Sequence, residues 1–89
     1  VLIDRFLEML AVEAGAAKNT LVAYRTDLAL ASAALAGSLS RSDEAGLARL
    51  AAGWGELARA SVARKAAALR RFFGFLAEEG FRQDDPSAA

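Results

Sequence analysis

Basic side chains without acidic neighbours are concentrated in one amphipathic segment near the C-terminal end of the sequence. Residues 57–77 carry five cationic side chains and no Asp or Glu, although the whole chain has 11 basic and 11 acidic residues. The five are Arg59, Arg64, Lys65, Arg70 and Arg71. A helix that combines an apolar face with such an unbalanced basic face is suited to contact the phosphates of a nucleic acid.

The helical period separates a core stripe of this segment from an outer face. At about 100° per residue, the stripe is centred on Leu69. It also contains Val62, Ala66, Phe73 and Leu76, with Phe72 at its flank. Arg64 and Arg71 fall nearly opposite the stripe, while Lys65 and Arg70 lie at its borders. We therefore expect two guanidinium groups to project outward without acidic partners, beside the small side chains of Ala67 and Ala68.

An ordinary solvated helix face is the alternative interpretation of these arginines. Their partners would then be carboxylates from other helices, such as Glu8, Glu13 or Asp27. Phe75 also falls away from the core stripe in the same projection. It would either dock a further domain or pack against another part of this chain.

A second group of candidate phosphate ligands lies where another helix is expected to begin. Lys18, Asn19 and Thr20 precede an apolar stripe, and Arg25 follows about one turn later. Unpaired backbone N–H groups and the helix dipole favour an anion at such a position. Capping of the helix by Asn19 or Thr20 is the simpler explanation of the same residues.

Other chemistry is excluded by composition and spacing. The chain has no Cys and no His, which removes disulfides, the common soft metal ligands and the usual general base. Its paired carboxylates are adjacent in sequence and do not face each other on a helix. We expect no catalytic constellation, no metal and no cofactor.

The sequence also lacks an apolar run of membrane-spanning length and a signal peptide, which favours a cytoplasmic protein.

The fold class expected from periodicity is all-α. Alanine is abundant, no β-branched run indicates a strand, and glycines follow three of the helical patterns. The predicted helices cover residues 2–14, about 19–36, about 43–52 and 61–79, with Ser61 as the cap of the last. Short connections between four such helices indicate one compact bundle.

Two stretches resemble the N-terminal core-binding domain of tyrosine recombinases of the Xer and phage-integrase type. KNTLVAYRTDL, residues 18–28, is similar to the second helix of that domain, where the family typically has NT…aY..DL. ARKAAALRRFFGFLAEEGFRQDDP, residues 63–86, is similar to its fourth helix and exit, typically R.LSALR.FF.FL..EG....DP. The opening helix, with Phe6 and Leu7, and the short helix after Asp43 fall in the expected order.

The resemblance implies a four-helix SAM-like bundle that forms half of a clamp around double-stranded DNA. Its second and fourth helices would approach the major groove of a recombination half-site. The DNA-binding residues expected from pattern and resemblance together are Lys18, Asn19, Thr20, Arg25, Arg64, Lys65, Arg70 and Arg71. Two positions depart from the family pattern: Ala67 stands where the family has serine, and Thr26 where a basic residue often follows Arg25.

The resemblance also implies that this chain is the DNA-binding domain of a longer protein with a separate catalytic domain. Residues 1–82 would form the core-binding domain, and residues 83–89 would begin a linker to a C-terminal catalytic domain absent from this chain. The family's tyrosine nucleophile belongs to that domain, and Tyr24 corresponds to a packing tyrosine. The implied partners are DNA and other recombinase protomers, with no membrane and no metal. Chromosome-dimer resolution and mobile-element integration both remain open, and a small protein-interaction domain is the alternative function.

Overall fold

Four α-helices and one 3-10 turn form the computed structural model, which describes residues 2–88. The helices are α1 (Leu2–Val12), α2 (Lys18–Ala34), α3 (Glu44–Ala52) and α4 (Arg59–Glu78), and the 3-10 turn (Leu39–Arg41) lies between α2 and α3. No strand occurs within residues 2–88, and the all-α prediction is confirmed. Val1 and Ala89, which bound the predicted domain and linker, lie outside the described residues.

The start of α2 differs from the prediction based on capping residues. The helix begins at Lys18, directly after Ala17, whose backbone is extended and whose side chain makes no capping hydrogen bond. Asn19 and Thr20 therefore lie inside the first turn, and the interpretation of either residue as the cap is wrong. The backbone N–H groups of this turn consequently have no side-chain acceptor from the capping position.

α4 also begins earlier than its sequence suggests. Its first residue is Arg59, and the capping position is taken by Ala58 in an extended conformation, so the prediction of Ser61 as the cap is wrong. A side-chain cap does form at α3, where the Asp43 carboxylate accepts a 2.8 Å hydrogen bond from the backbone N–H of Gly46. This bond satisfies one of the backbone N–H groups that have no partner within the helix at its start.

The core is organised by aromatic rings from α1 and α4. The Phe6 ring of α1 packs edge-on against Phe72 at 5.6 Å between centroids, and it lies 5.7 Å from Phe75. Phe72 and Phe73 contact each other at 5.4 Å. Several large side chains are almost completely buried around these rings: Leu10, Leu28, Leu39 and Leu76. The aromatic residues therefore supply much of the buried area that an alanine-rich chain otherwise lacks.

Fewer residues of α4 are exposed to solvent than its helical period predicted. Ala68 is completely buried, so the expectation that it lies on the outer face is wrong. Phe75 is only 7% exposed, which agrees with the alternative that it packs against another part of this chain. These two residues are two turns apart and share one side of α4, where Phe75 meets Phe6 of α1 and lies 6.2 Å from Phe81. α4 is therefore covered by neighbouring elements on more than one side.

The segment after α4 packs against the bundle through Arg82. Its guanidinium group donates to the backbone carbonyls of Ser40 and Ser42, at 3.1 and 2.6 Å, and forms a two-pronged pair with Asp84. The same group lies 5.3 Å from the centre of the Phe73 ring. Pro86, further along, is buried. In the part of the chain that the structure describes, no helix combines the length and apolarity needed to cross a bilayer.

Replacing Phe75 by alanine tests its burial against α1. We expect Phe75→Ala to lower the free energy of unfolding by about 3 kcal/mol, because it removes a packed ring and leaves a cavity. Urea denaturation followed by circular dichroism measures the change. Val12→Ala is the control, since Val12 is 82% exposed and its truncation should change stability by less than about 0.5 kcal/mol. Equal stability of the two variants would contradict the burial of Phe75.

Candidate nucleic-acid interface

A buried carboxylate between α2 and α4 binds two of the basic residues expected to contact DNA. Asp27 Oδ2 accepts a hydrogen bond from Arg64 Nε at 2.7 Å. Asp27 Oδ1 accepts from Arg64 Nη2 and from Lys65 Nζ, both at 3.0 Å. The Asp27 side chain is only 2% exposed. We call these three residues the Asp27 cluster; two cations surround one anion, so the cluster carries a net charge of +1.

The protonation states of the cluster follow from its hydrogen bonds. Burial by itself raises the pKa of Asp27, but the hydrogen bonds from Arg64 and Lys65 outweigh this effect and hold the pKa below its usual value. The hydrogen bonds to Asp27 in turn raise the pKa of the Arg64 guanidinium. Asp27 and Arg64 are therefore both charged at neutral pH.

The expectation that Arg64 projects outward without an acidic partner is wrong, and the alternative that it pairs with Asp27 is confirmed. Its partner lies 37 positions away on a different helix, so the pairing arises only when α2 packs on α4. One feature of the sequence does single out Asp27: it falls among Tyr24, Leu28 and Ala31, which are all buried. An acidic residue within a core stripe must find a partner inside the protein.

Arg64 nevertheless keeps an accessible surface. Its side chain is 45% exposed, whereas that of Lys65 is 14% exposed. Within residues 2–88, Nη1 of Arg64 makes no hydrogen bond, because the contacts to Asp27 use Nε and Nη2. Arg64 can therefore contact Asp27 with one edge of its guanidinium group and a ligand with another, while Lys65 is largely committed to Asp27.

Arg71 extends the exposed part of Arg64 along α4. It follows Arg64 by seven residues, which places both on the same side of the helix at about 10 Å along its axis. Arg71 is exposed, and Ala67 between the two arginines is partly exposed. Within residues 2–88, Arg71 forms no ion pair. We call Arg64, Ala67 and Arg71 the basic strip.

Arg70 points to a different neighbourhood. It lines a shallow groove between α3, α4 and the C-terminal segment, together with Glu44 and Pro86. Arg70 is exposed and makes no ion pair within the described range of 2–88. The charge of α4 is thus spread over two adjoining surfaces, one of which is the basic strip.

The basic residues of α2 lie on the side of that helix opposite Asp27. Lys18 and Arg25 line a groove between α1 and α2 that also contains Asp4 and Glu8. Arg25 Nη1 donates to Asp4 Oδ1 at 2.8 Å, and the side chains of both residues are about 60% exposed. This hydrogen bond lowers the pKa of Asp4. Arg25 precedes Asp27 by two residues, or about 200° around the helix, so it faces away from α4.

The polar residues of the first turn of α2 do not share the side of Lys18 and Arg25. Thr20 precedes Asp27 by seven residues and so shares its side of the helix. Asn19 is exposed and Thr20 is partly exposed. The structure therefore divides the eight predicted DNA-binding residues into a group on α4, a group facing α1 and these two residues at the start of α2.

Acid should remove the stabilisation supplied by Asp27. Its pKa is lowered on folding, so the contribution is complete above the unfolded value of about 3.9 and is lost as the pH falls through the lower folded value. We expect Asp27→Asn to cost on the order of 1–3 kcal/mol at pH 7. The difference from the wild type should shrink below about pH 4. Denaturation at several pH values measures this difference. Asp4→Asn is the exposed control, and its loss of stability should follow the same pH dependence but be much smaller. A pH-independent difference for Asp27→Asn would contradict an ionised Asp27.

Comparison with known proteins agrees with the resemblance noted in the sequence. Residues 3–80 match the family described as phage integrase, N-terminal SAM-like domain. The chain is 59% identical to the tyrosine recombinase XerC of Erythrobacter litoralis over 98% of its length, and 48% identical to XerD of Brucella abortus over 96%. It spans only 28% and 29% of those two relatives. The chain therefore belongs to the phage-integrase family of N-terminal SAM-like domains.

Proposed function

We propose that this chain is the DNA-binding module of a site-specific tyrosine recombinase or integrase. It contacts double-stranded DNA at a recombination half-site through α2 and α4. The charge of α4 carries the proposal: it has five basic side chains, and within residues 2–88 only two of them, Arg64 and Lys65, pair with a carboxylate, that of Asp27. Counterion release from DNA by such unbalanced cations favours binding. The similarity to tyrosine recombinases supports the same conclusion.

The shape of the basic strip suits a DNA groove. The major groove is about 12 Å wide and admits an α-helix. Arg64 and Arg71 are about 10 Å apart along the helix axis, and the methyl group of Ala67 between them allows close approach to the duplex. Arg70 and Lys65 add positive potential beside the strip, although Lys65 is bound to Asp27.

The start of α2 supplies a second proposed contact. No side chain caps this helix, so its first N–H groups remain available to a phosphate near Lys18, Asn19 and Thr20. Arg25 is proposed to bind a nearby phosphate of the DNA backbone. Its exposed pair with Asp4 is worth little free energy in water, so a phosphate can displace the carboxylate at small cost.

The parent protein is proposed to carry its catalytic residues outside this chain. The relatives are more than three times longer than the matched segment, which leaves room for a catalytic domain after residues 83–89. On its own, this chain is expected to bind duplex DNA weakly and to cleave nothing. Other protomers of the full-length recombinase are its proposed protein partners.

A protein-interaction domain is the second candidate function. A groove of about 500 Å³ lies between α2, α3, α4 and the loop before α4. Its lining includes Leu50, Trp54 and two leucines that are 57% and 42% exposed, Leu30 and Leu57. Exposed apolar side chains around a groove are typical of docking surfaces. This function predicts binding of a protein partner and indifference to DNA.

Salt dependence distinguishes the two functions. With three to five phosphate contacts, the logarithm of the association constant should fall against the logarithm of salt concentration with a slope of about −3 to −4.5. Fluorescence anisotropy of a labelled 30-base-pair duplex at several salt concentrations measures the slope. An affinity that does not vary with salt would refute DNA binding through phosphates.

Truncation of Arg71 tests the basic strip itself. Arg71→Ala should weaken binding to every duplex sequence and make the slope shallower by about one, because it removes one phosphate contact. Arg41→Ala is the matched control, since Arg41 is an exposed arginine on the 3-10 turn that is not among the predicted DNA-binding residues. Equal effects of the two substitutions would mean that the strip is not the contact surface.

A further inference from the structure

We propose that Asp27 is a positioning residue for DNA binding, which holds Arg64 so that the guanidinium group presents its unused edge to a phosphate. The inference rests on the proposed DNA-binding function and adds to it a residue that would not itself touch DNA. A buried carboxylate directly beneath a surface proposed to bind a polyanion is unexpected, and the hydrogen bonds of Asp27 explain why one is there.

The contact between Asp27 and Arg64 determines the direction of the guanidinium group. Two hydrogen bonds, of 2.7 and 3.0 Å, join Nε and Nη2 to the two carboxylate oxygens. A guanidinium group is planar and rigid, so fixing one edge also fixes the opposite edge. The Asp27 carboxylate is itself held in a buried position on α2. Nη1 and the outer side of Nη2 are consequently held at a defined place on the surface of α4.

Lys65 explains why the carboxylate does not repel the phosphate. Its ammonium group donates to Asp27 Oδ1 at 3.0 Å and is only 14% exposed. Lys65, the more buried of the two cations, therefore compensates the charge of Asp27. Arg64 is the more exposed member of the cluster, so the net charge of +1 is presented mainly by Arg64.

Stability alone is a poor explanation for this arrangement. Buried ion pairs can often be replaced by apolar residues without loss of stability. Asp27 lies among Tyr24, Leu28 and Ala31, which are all buried, so an apolar side chain would match its surroundings. A carboxylate at this position does something that an apolar residue cannot do, which is to orient two cations.

Ordering of Arg64 before binding increases its contribution to affinity. An exposed arginine loses rotamer freedom when it binds a phosphate, and that loss weakens the complex. Arg64 has already lost much of this freedom in the folded protein. We therefore expect its contact to contribute more than that of Arg71, which makes no ion pair within the described residues.

The substitution Asp27→Asn gives opposite results for positioning and for simple electrostatics. It removes a negative charge near DNA, so Coulomb attraction alone predicts tighter binding. Loss of orientation predicts binding about 3- to 10-fold weaker despite the more positive protein. Glu56→Gln is the control: it also removes one negative charge, at an exposed carboxylate that forms no ion pair within residues 2–88, and it should leave affinity unchanged or slightly tighter. Anisotropy titrations of the same 30-base-pair duplex, at a temperature where circular dichroism shows folded protein, measure both.

A double-mutant cycle shows whether Asp27 acts through Arg64. If it does, Asp27→Asn should change affinity less than about 2-fold when Arg64→Ala is already present. A second variant, Arg64→Lys, decides the question even if Asp27→Asn does not fold. It keeps the charge but loses the two-pronged contact, so we expect binding about 3- to 10-fold weaker.

Two outcomes would overturn the inference while leaving DNA binding intact. One is wild-type or tighter affinity of Asp27→Asn, and the other is wild-type affinity of Arg64→Lys. Failure of the wild-type chain to bind the duplex in a salt-dependent way would instead refute the proposed function on which the inference rests. The wild-type titration therefore separates the two failures.

Discussion

The ion pairs of Asp27 join α4 to α2 and constrain how the two helices meet. This carboxylate is almost inaccessible to solvent and accepts three hydrogen bonds from Arg64 and Lys65. Removing its partners would leave an uncompensated charge inside the bundle, which is far more costly than losing an exposed pair. The packing of α2 on α4 and the direction of Arg64 are thus set by the same contact. The fold and the proposed DNA-binding surface share one structural element.

Aromatic packing supplies what the helices cannot obtain from alanine. Alanine accounts for 23 of the 89 residues, which favours helix formation but buries little area. Phe6, Phe72, Phe73 and Phe75 are all buried, and they connect α1 to α4. Small side chains contribute in another way, because the completely buried Ala68 lets neighbouring elements approach α4 closely. Core and surface are therefore built from different residues of the same helix.

The charge of the molecule is balanced in total and separated in space. Acidic residues line the groove between α1 and α2, where Asp4 and Glu8 lie beside Lys18 and Arg25. α4 has a basic excess that one carboxylate reduces without cancelling it. A polyanion approaching this molecule would therefore meet α4 more favourably than α1. Net charge alone, which is zero, conceals this difference.

Local sequence determined the elements of this protein. The number and order of the helices, the glycines with positive φ that follow α1, α2 and α4, and the family all follow from patterns within single segments. Helix starts were less predictable, because Ala17 and Ala58 occupy capping positions that polar residues were expected to fill. Such starts depend on the path of the preceding loop, which local preference describes poorly.

Only the tertiary structure decided which side chains face one another. The partner of Arg64 is 37 positions away, and Phe75 is buried because α1 covers a side of α4 that a single-helix projection assigns to solvent. The separation of Arg25 from Arg64 likewise follows from the packing of two different helices on α2. Helical periodicity describes directions around one axis, whereas burial and ion pairing depend on which other axes lie beside it.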